Sequence, residues 1–295
     1  MAKAKFESLA LAALKLEVEE TGNGSILHIT LNRPTAFNAV SMEMLHEIHT
    51  VLDMLQHPNT LLELVPAGQP RVVILKSAGR AFSGGVDIKA ADRGIGGRSW
   101  DYKNMRSQQL LARMIEKFRS IPQPIVACIQ GPAAGAGLAM ALAADLRIAT
   151  PAASFSAAFV RLGLTGTDMG SSFFLPRLAG LGIASEAILT GRPISADRAF
   201  QIGLVNELAE NKGELEIKAR ALAREMLACS PLGLQLSKEQ LNSVTEGGSL
   251  RAAIVAENSH QMLLVNDPET GKIAQAWVNK MVAGKQGPSA TKSKL

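Results

Sequence analysis

An α/β body followed by a helical tail is the fold class the sequence predicts, and three observations carry it. Short apolar runs at residues 72–75 and 125–129 each lead into a glycine-rich turn. Polar and apolar residues alternate over residues 16–31 around Gly22-Asn23-Gly24, as in a β-hairpin. From Gly213 to about Ala283 every apolar repeat has helical spacing. The expected division is an N-terminal arm at 1–15, a body at 16–212, a helical region at 213–284 and a flexible tail at 285–295.

Residues 1–15 are rich in alanine and leucine and read as a short helix or a loose arm. The hairpin pairs residues 16–20 with 26–31 across an Asn-Gly signal, and Asn32-Arg33-Pro34 ends its second strand. Ser41 is the expected N-cap of a helix reaching about Gln56, with Met42, Leu45, His49 and Leu52 close to helical spacing. His46 and His49 lie three apart on it. With no cysteine or acid to complete a metal set, they read as surface or packing histidines.

Residues 58–70 form a connector, and 72–75 a buried strand. Gly94-Ile95-Gly96-Gly97 reads as a mobile loop. Residues 101–120 form a helix whose Met105, Leu111, Met114, Ile115 and Phe118 belong to the core or to a ligand wall. Further strands are expected at 125–129 and 153–156, then a helix from Gly170 marked by Phe173, Phe174 and Leu175, and another at 184–190. The tail holds helices at 214–228, 232–240, 249–264 and 269–282.

The chain has 295 residues, 47% hydrophobic and only 4% aromatic, so its core must be built from aliphatic side chains. The net charge of +5 sits at the ends, on Lys3, Lys5, Lys285, Lys292 and Lys294. Without these five the 31 basic residues fall to 26 and match the 26 acids, which argues against a nucleic-acid partner. Two cysteines, Cys128 and Cys229, are too few for a disulfide framework and suit a reducing compartment. No run reaches the roughly 18 apolar residues of a membrane span, and no apolar stretch near the start reads as a secretory signal.

The chemistry gathers at the glycine turns. Gly131, Gly135 and Gly137 let the backbone turn sharply and approach a ligand, and the Ala/Leu/Met run after them favours a helix that starts there. A strand that passes through such a turn into a helix leaves backbone N–H groups free, which suits negative charge on an oxygen; close packing of helix on sheet is the alternative. The second turn, Ser83-Gly84-Gly85, offers a second donor. Other templates fail: Gly135-Ala136-Gly137 lacks the third glycine of a dinucleotide fingerprint, and neither a Gly-Lys-Ser/Thr loop nor a Gly-x-Ser-x-Gly elbow occurs.

Three segments in order resemble the crotonase superfamily, also called enoyl-CoA hydratase/isomerase. They are Asn32-Arg-Pro-Thr-Ala-Phe-Asn-Ala39, Ala81-Phe-Ser-Gly-Gly-Val-Asp-Ile-Lys89, and the Gly131 to Gly137 turn with Asp145-Leu-Arg-Ile148 after it; Gly191-Arg-Pro193 and residues 195–206 continue the likeness. The resemblance, from about Leu16 to Val282, implies a spiral of ββα units with a C-terminal helical region. That region would close the active site and build a homotrimer or a dimer of trimers. It also implies an acyl-CoA substrate, with coenzyme A as part of that substrate and no separate cofactor.

The resemblance further implies that the backbone N–H groups of Val86 and Ala136 hold the thioester oxygen, with Gly135, Val86, Asp87, Ile88 and Lys89 lining the substrate. Asp87 is expected to tie its turn through its side chain, and Lys89, Arg33 and Arg93 to meet phosphates. The two glutamates of the family's hydratases fall here on Ala139 and Phe159. Asp168, in Asp168-Met-Gly-Ser-Ser-Phe-Phe-Leu-Pro176, matches the catalytic aspartate of the dienoyl-CoA isomerases; it also suits an N-cap for the helix near Gly170, a role Thr167 can fill instead. Glu116, Arg161 and Asp101 are weaker candidates for the missing acid. Isomerisation is therefore the expected activity, ahead of hydration by Asp168 or an unrecognised acid, and ahead of acyl-CoA binding without turnover. The final Ser293-Lys294-Leu295 reads as a peroxisomal or glycosomal address for an import receptor.

Overall fold

The computed structural model describes residues 2–56, 69–87, 102–247 and 249–285. Within the first 15 residues, helix α1 (Ala2–Glu7) buries Phe6, so the arm is anchored rather than loose. Strands β1 (Leu14–Thr21) and β2 (Gly24–Leu31) form the expected antiparallel hairpin, with Thr21 paired to Gly24 across the two-residue turn Gly22-Asn23. Gly24 takes φ +128°, which a side chain would resist. A 3₁₀ turn at Pro34–Ala36 follows, then α2 (Met42–Leu55), whose Ser41 hydroxyl accepts from the Met44 N–H as the sequence predicts.

Strand β3 (Pro70–Ser77) leads to the Ser83–Asp87 turn, and α3 (Tyr102–Ser120) to β4 (Ile125–Ile129), β5 (Pro132–Ala134) and α4 (Ala136–Ala143). The next repeat is β6 (Leu146–Ala149), β7 (Ser154–Ser156), a 3₁₀ turn at Ala158–Leu162, α5 (Ser171–Ala179) and α6 (Leu181–Thr190). It is followed by β8 (Ile194–Ser195), α7 (Ala196–Gln201), β9 (Glu207–Leu208) and α8 (Lys212–Leu227).

The six-stranded sheet has the order β1-β2-β3-β4-β6-β9, all parallel beyond the hairpin, and β5-β7-β8 form a second, smaller sheet. Successive repeats give one strand to each sheet and then a helix: β4, β5, α4, followed by β6, β7, α5. The Ser83–Ala133 bridge adds the chain after β3 to the second sheet in the same way. This is the expected spiral of ββα units.

Alternation along the strands buries both faces of the large sheet. Leu27, Ile29, Val73, Leu75, Ile125 and Ala127 join the main core with α2, α3 and α4. The intervening Ile26, His28, Val72, Ile74, Val126 and Cys128 are equally buried on the other face, where α8 packs against β2, β3, β4 and β6. Helix α8 reaches that face through Leu215, Ala219, Ala223 and Leu227, a four-residue repeat. The first compact unit accordingly ends at Leu227, and this helix, expected at the head of the C-terminal helical region, is part of the body.

The second unit begins at Ala228 and holds α9 (Pro231–Thr245), α10 (Leu250–Val265) and α11 (Pro268–Lys285). Ser230 and Ser249 cap the first two, and Asp267 accepts from the Thr270 N–H at the start of the third. Helix α10 has no buried residue. The Gly94–Gly97 loop, most of the 58–70 connector and Ser293-Lys294-Leu295 lie outside the described residues.

Candidate active site

The first glycine turn is fixed by residues from three segments. Asn38, buried and left-handed at φ +53°, donates to the carbonyls of Ala78 and Ala81 and accepts from the Arg33 N–H. The buried Ser83 hydroxyl donates to the Asn38 carbonyl (2.8 Å) and accepts from the Gly85 N–H (3.3 Å). The Gly85 carbonyl accepts from the Val40 N–H (2.7 Å), and the Val40 carbonyl from the Asp87 N–H (3.0 Å). In a trans peptide, C=O and the following N–H point in opposite directions. The Val86 N–H is thus directed away from Val40, and no described acceptor takes it.

The second turn obeys the same logic. Gly135, at φ +52°, donates to the Ser156 carbonyl and accepts from the Ala139 N–H, which opens α4. The Ala136 N–H is the first orphan donor of that helix, directed out of its N-terminus, with no described acceptor. The turns are neighbours. A methyl placed on Gly85 would stand 3.6 Å from the Ala136 nitrogen, and one on Gly135 would stand 3.7 Å from the Gly85 Cα. Gly137 is required for a different reason: a Cβ there would drive into the Ser83 carbonyl.

Ala139 is fully buried within α4, a helix without one polar side chain, and the Phe159 ring lies 3.4 Å from where a Gly135 Cβ would be. Neither position offers an acid. Cys128 on β4 offers no nucleophile, because burial pushes its thiol up to about 12.

Asp168 is half-buried in the turn before α5. Its Oδ1 accepts from the Met169 N–H (2.7 Å) and from Gln108 Nε2 of α3 (2.5 Å). Its backbone carbonyl accepts from the Ser171 N–H, while its own N–H donates to the Ser171 hydroxyl. Gly170 caps α5 and no side chain bonds to the free amides there, so neither Asp168 nor Thr167 is the N-cap that the sequence allowed. The backbone turns through Met169 at φ +46° and Gly170 at φ +81°, a strained path for the methionine.

Other anticipated residues are placed differently. Asp87 pairs with Arg33 Nη2 at 2.9 Å, and Arg33 Nη1 donates to the Ala39 carbonyl, so the arginine expected at phosphates ties the turn together. Glu116 and Arg161 are exposed, and Asp101, Ile88, Lys89 and Arg93 lie outside the described residues. His49 is buried and bonds the Leu110 carbonyl on α3, whereas His46 is exposed. No group of three metal-binding side chains forms among the described residues. No helix among them is long and apolar enough to cross a membrane. Gln108, Asn38 and Ser83 were not singled out from the sequence: Asn38 had a signal in its motif, and Gln108, a polar residue on an amphipathic helix, had none.

A spiral of ββα units carrying two adjacent free amides defines a class, and comparison with known proteins agrees. The enoyl-CoA hydratase/isomerase family profile matches residues 21–290. A probable enoyl-CoA hydratase of Mycobacterium tuberculosis is 35% identical over 255 residues, covering 86% of each chain. The 1,2-epoxyphenylacetyl-CoA isomerase of Escherichia coli is 30% identical, covering 81% of this chain and 86% of its own. The crystal structure of a probable enoyl-CoA hydratase/isomerase from Mycobacterium abscessus superposes with a TM-score of 0.78 at 30% identity, over 92% of this chain and 97% of that one. The chain belongs to the enoyl-CoA hydratase/isomerase family of acyl-CoA enzymes.

Proposed function

We propose that the protein shifts a carbon–carbon double bond in an acyl-CoA, converting a 3-enoyl thioester to the conjugated 2-enoyl thioester. Two things support this reading: the resemblance puts Ala139 and Phe159 where the family's hydratases have glutamates, and among the described residues Asp168 has one carboxylate oxygen tied and the other without a described partner.

In this mechanism the thioester oxygen accepts from the N–H groups of Val86 and Ala136, and Gly135, Asp87, Ile88 and Lys89 line the substrate. Asp168 removes a proton from carbon 2. The electron pair moves onto the thioester oxygen, where the two amides stabilise it; such a donor is typically worth about 3 to 4 kcal/mol of barrier. The dienolate then takes the proton back at carbon 4, so the carboxylate ends as it began. No water is activated and no redox step occurs. The enzyme works without a separate cofactor, as a homotrimer or a dimer of trimers, and serves fatty-acid oxidation.

Hydration is the second reading, favoured by the name of the M. tuberculosis relative. Purified protein given 3-enoyl-, 2-enoyl- and 3,5-dienoyl-CoA separates the readings. A double-bond shift without water uptake supports the proposal, formation of 3-hydroxyacyl-CoA replaces it with hydration, and binding without turnover leaves an acyl-CoA carrier.

A further inference from the structure

Asp168 has two chemically equivalent oxygens, yet the fold treats them differently. Oδ1 receives two donors, the Met169 N–H from its own turn and Gln108 Nε2 from a helix 60 residues away in sequence. Oδ2 has no described partner. Gln108 is placed for this by the periodicity of α3, because it stands three and seven residues before the buried Leu111 and Ile115 and so shares their stripe. That stripe faces the Asp168 turn: a methyl on Gly170 would stand 3.7 Å from the Ile115 side chain.

We propose that Gln108 is a positioning residue for proton transfer, holding Oδ1 of Asp168 so that Oδ2 is the oxygen that exchanges protons with substrate carbon. This rests on the reading of Asp168 as the base. A charge-assisted hydrogen bond from an uncharged amide fixes the carboxylate's rotation without competing for the proton, which a lysine or histidine in that place would do. Gln108 acts through Asp168 and not on the substrate.

The test is a double-mutant cycle on the full-length protein with Gln108→Leu, Gln108→Glu, Asp168→Asn and the combination of Gln108→Leu with Asp168→Asn. Turnover of the 2-enoyl-, 3-enoyl- and 3,5-dienoyl-CoA probes is measured together with deuterium uptake at carbon 2 in D₂O. Gln108→Leu is expected to lower kcat and deuterium uptake together by about tenfold, with KM within about twofold of wild type, as loss of one charge-assisted bond implies. Gln108→Glu, which sets a second carboxylate against the first, is expected to lower them further. In the Asp168→Asn background Gln108→Leu is expected to change nothing. Because Gln108 is exposed, the thermal midpoint is expected to stay that of wild type, which separates positioning from folding.

An unchanged kcat in Gln108→Leu, a rise in KM alone, or losses that multiply in the combined variant overturn the role of Gln108 while leaving Asp168 in place. Turnover that survives Asp168→Asn, or a wild-type protein inert towards all three probes, overturns the base and the positioning role together.

Discussion

The two halves of the proposed site are built in opposite ways. The amide half is made of backbone: Gly85 and Gly135 hold left-handed conformations, and bonds from Val40, Ser83 and Ser156 fix the peptides on either side. The carboxylate half is one side chain in an exposed turn, held by its neighbour's N–H and by an amide from another helix. Main-chain donors depend on the path of the chain and not on side-chain chemistry, so residues as plain as Val86 and Ala136 can supply them. An acid depends on the identity of one residue, as Asp168 illustrates.

That contrast can be broken at either half. Asp168→Asn should cost about 10²- to 10⁴-fold in turnover while the thermal midpoint holds, as removal of a general base does; retained turnover would place the acid elsewhere. Next in size, Gly137→Ala should impair folding itself, since its methyl meets the Ser83 backbone, and soluble yield and unfolding midpoint report it. Ser83→Ala should lower stability by about 1 to 3 kcal/mol, because it orphans the buried Asn38 carbonyl and Gly85 N–H, and should slow turnover in proportion. If Ser83→Ala left both unchanged, the turn would be held by its glycines alone.

The pH dependence of stability should be smaller and should come from neither half. Burial holds His28 below its ordinary 6.5, and the same cause lowers His49. The unfolded chain therefore binds these protons more readily, so stability is full above 6.5 and declines as pH falls through it. Glu19, which burial pushes up but hydrogen bonds from Arg220, Arg224 and His28 bring below 4.5, adds a further loss at lower pH. Unfolding midpoints measured across this range, flattening near 6.5 in His28→Asn, check the sign. The smallest effect is chemical: Cys128 should resist alkylation in the native protein and react after denaturation.

Much of the amide half was readable from residue order. A glycine needed for a left-handed turn, a serine three residues before the amide it caps, and an alternating hairpin are constraints between near neighbours, so Gly135, Ser41 and Gly22-Asn23 announce themselves. The Ala/Leu/Met run likewise foretold a helix starting after the glycine turn, and the structure adds that it is buried on all sides. The acid half was only partly readable. Asp168 stood out by resemblance, but the sequence left it between base and helix cap, and only the observed bonds of Ser171 and Gly170 removed the second role.

Residue order, then, was enough for the hairpin, for β3, β4 and β7, for the Ser41 cap and for the start of α4, because each follows from contacts a few residues apart. The spiral and the two amides came from the motifs of the resemblance, and β5, β6, β8 and β9 went unread. Tertiary packing alone decided that α8 closes the back of the sheet, that Arg33 ties down Asp87, and that Gln108 reaches Asp168. Those contacts join side chains separated by tens of residues, and their partners are chosen by how the helices come to rest on the sheets.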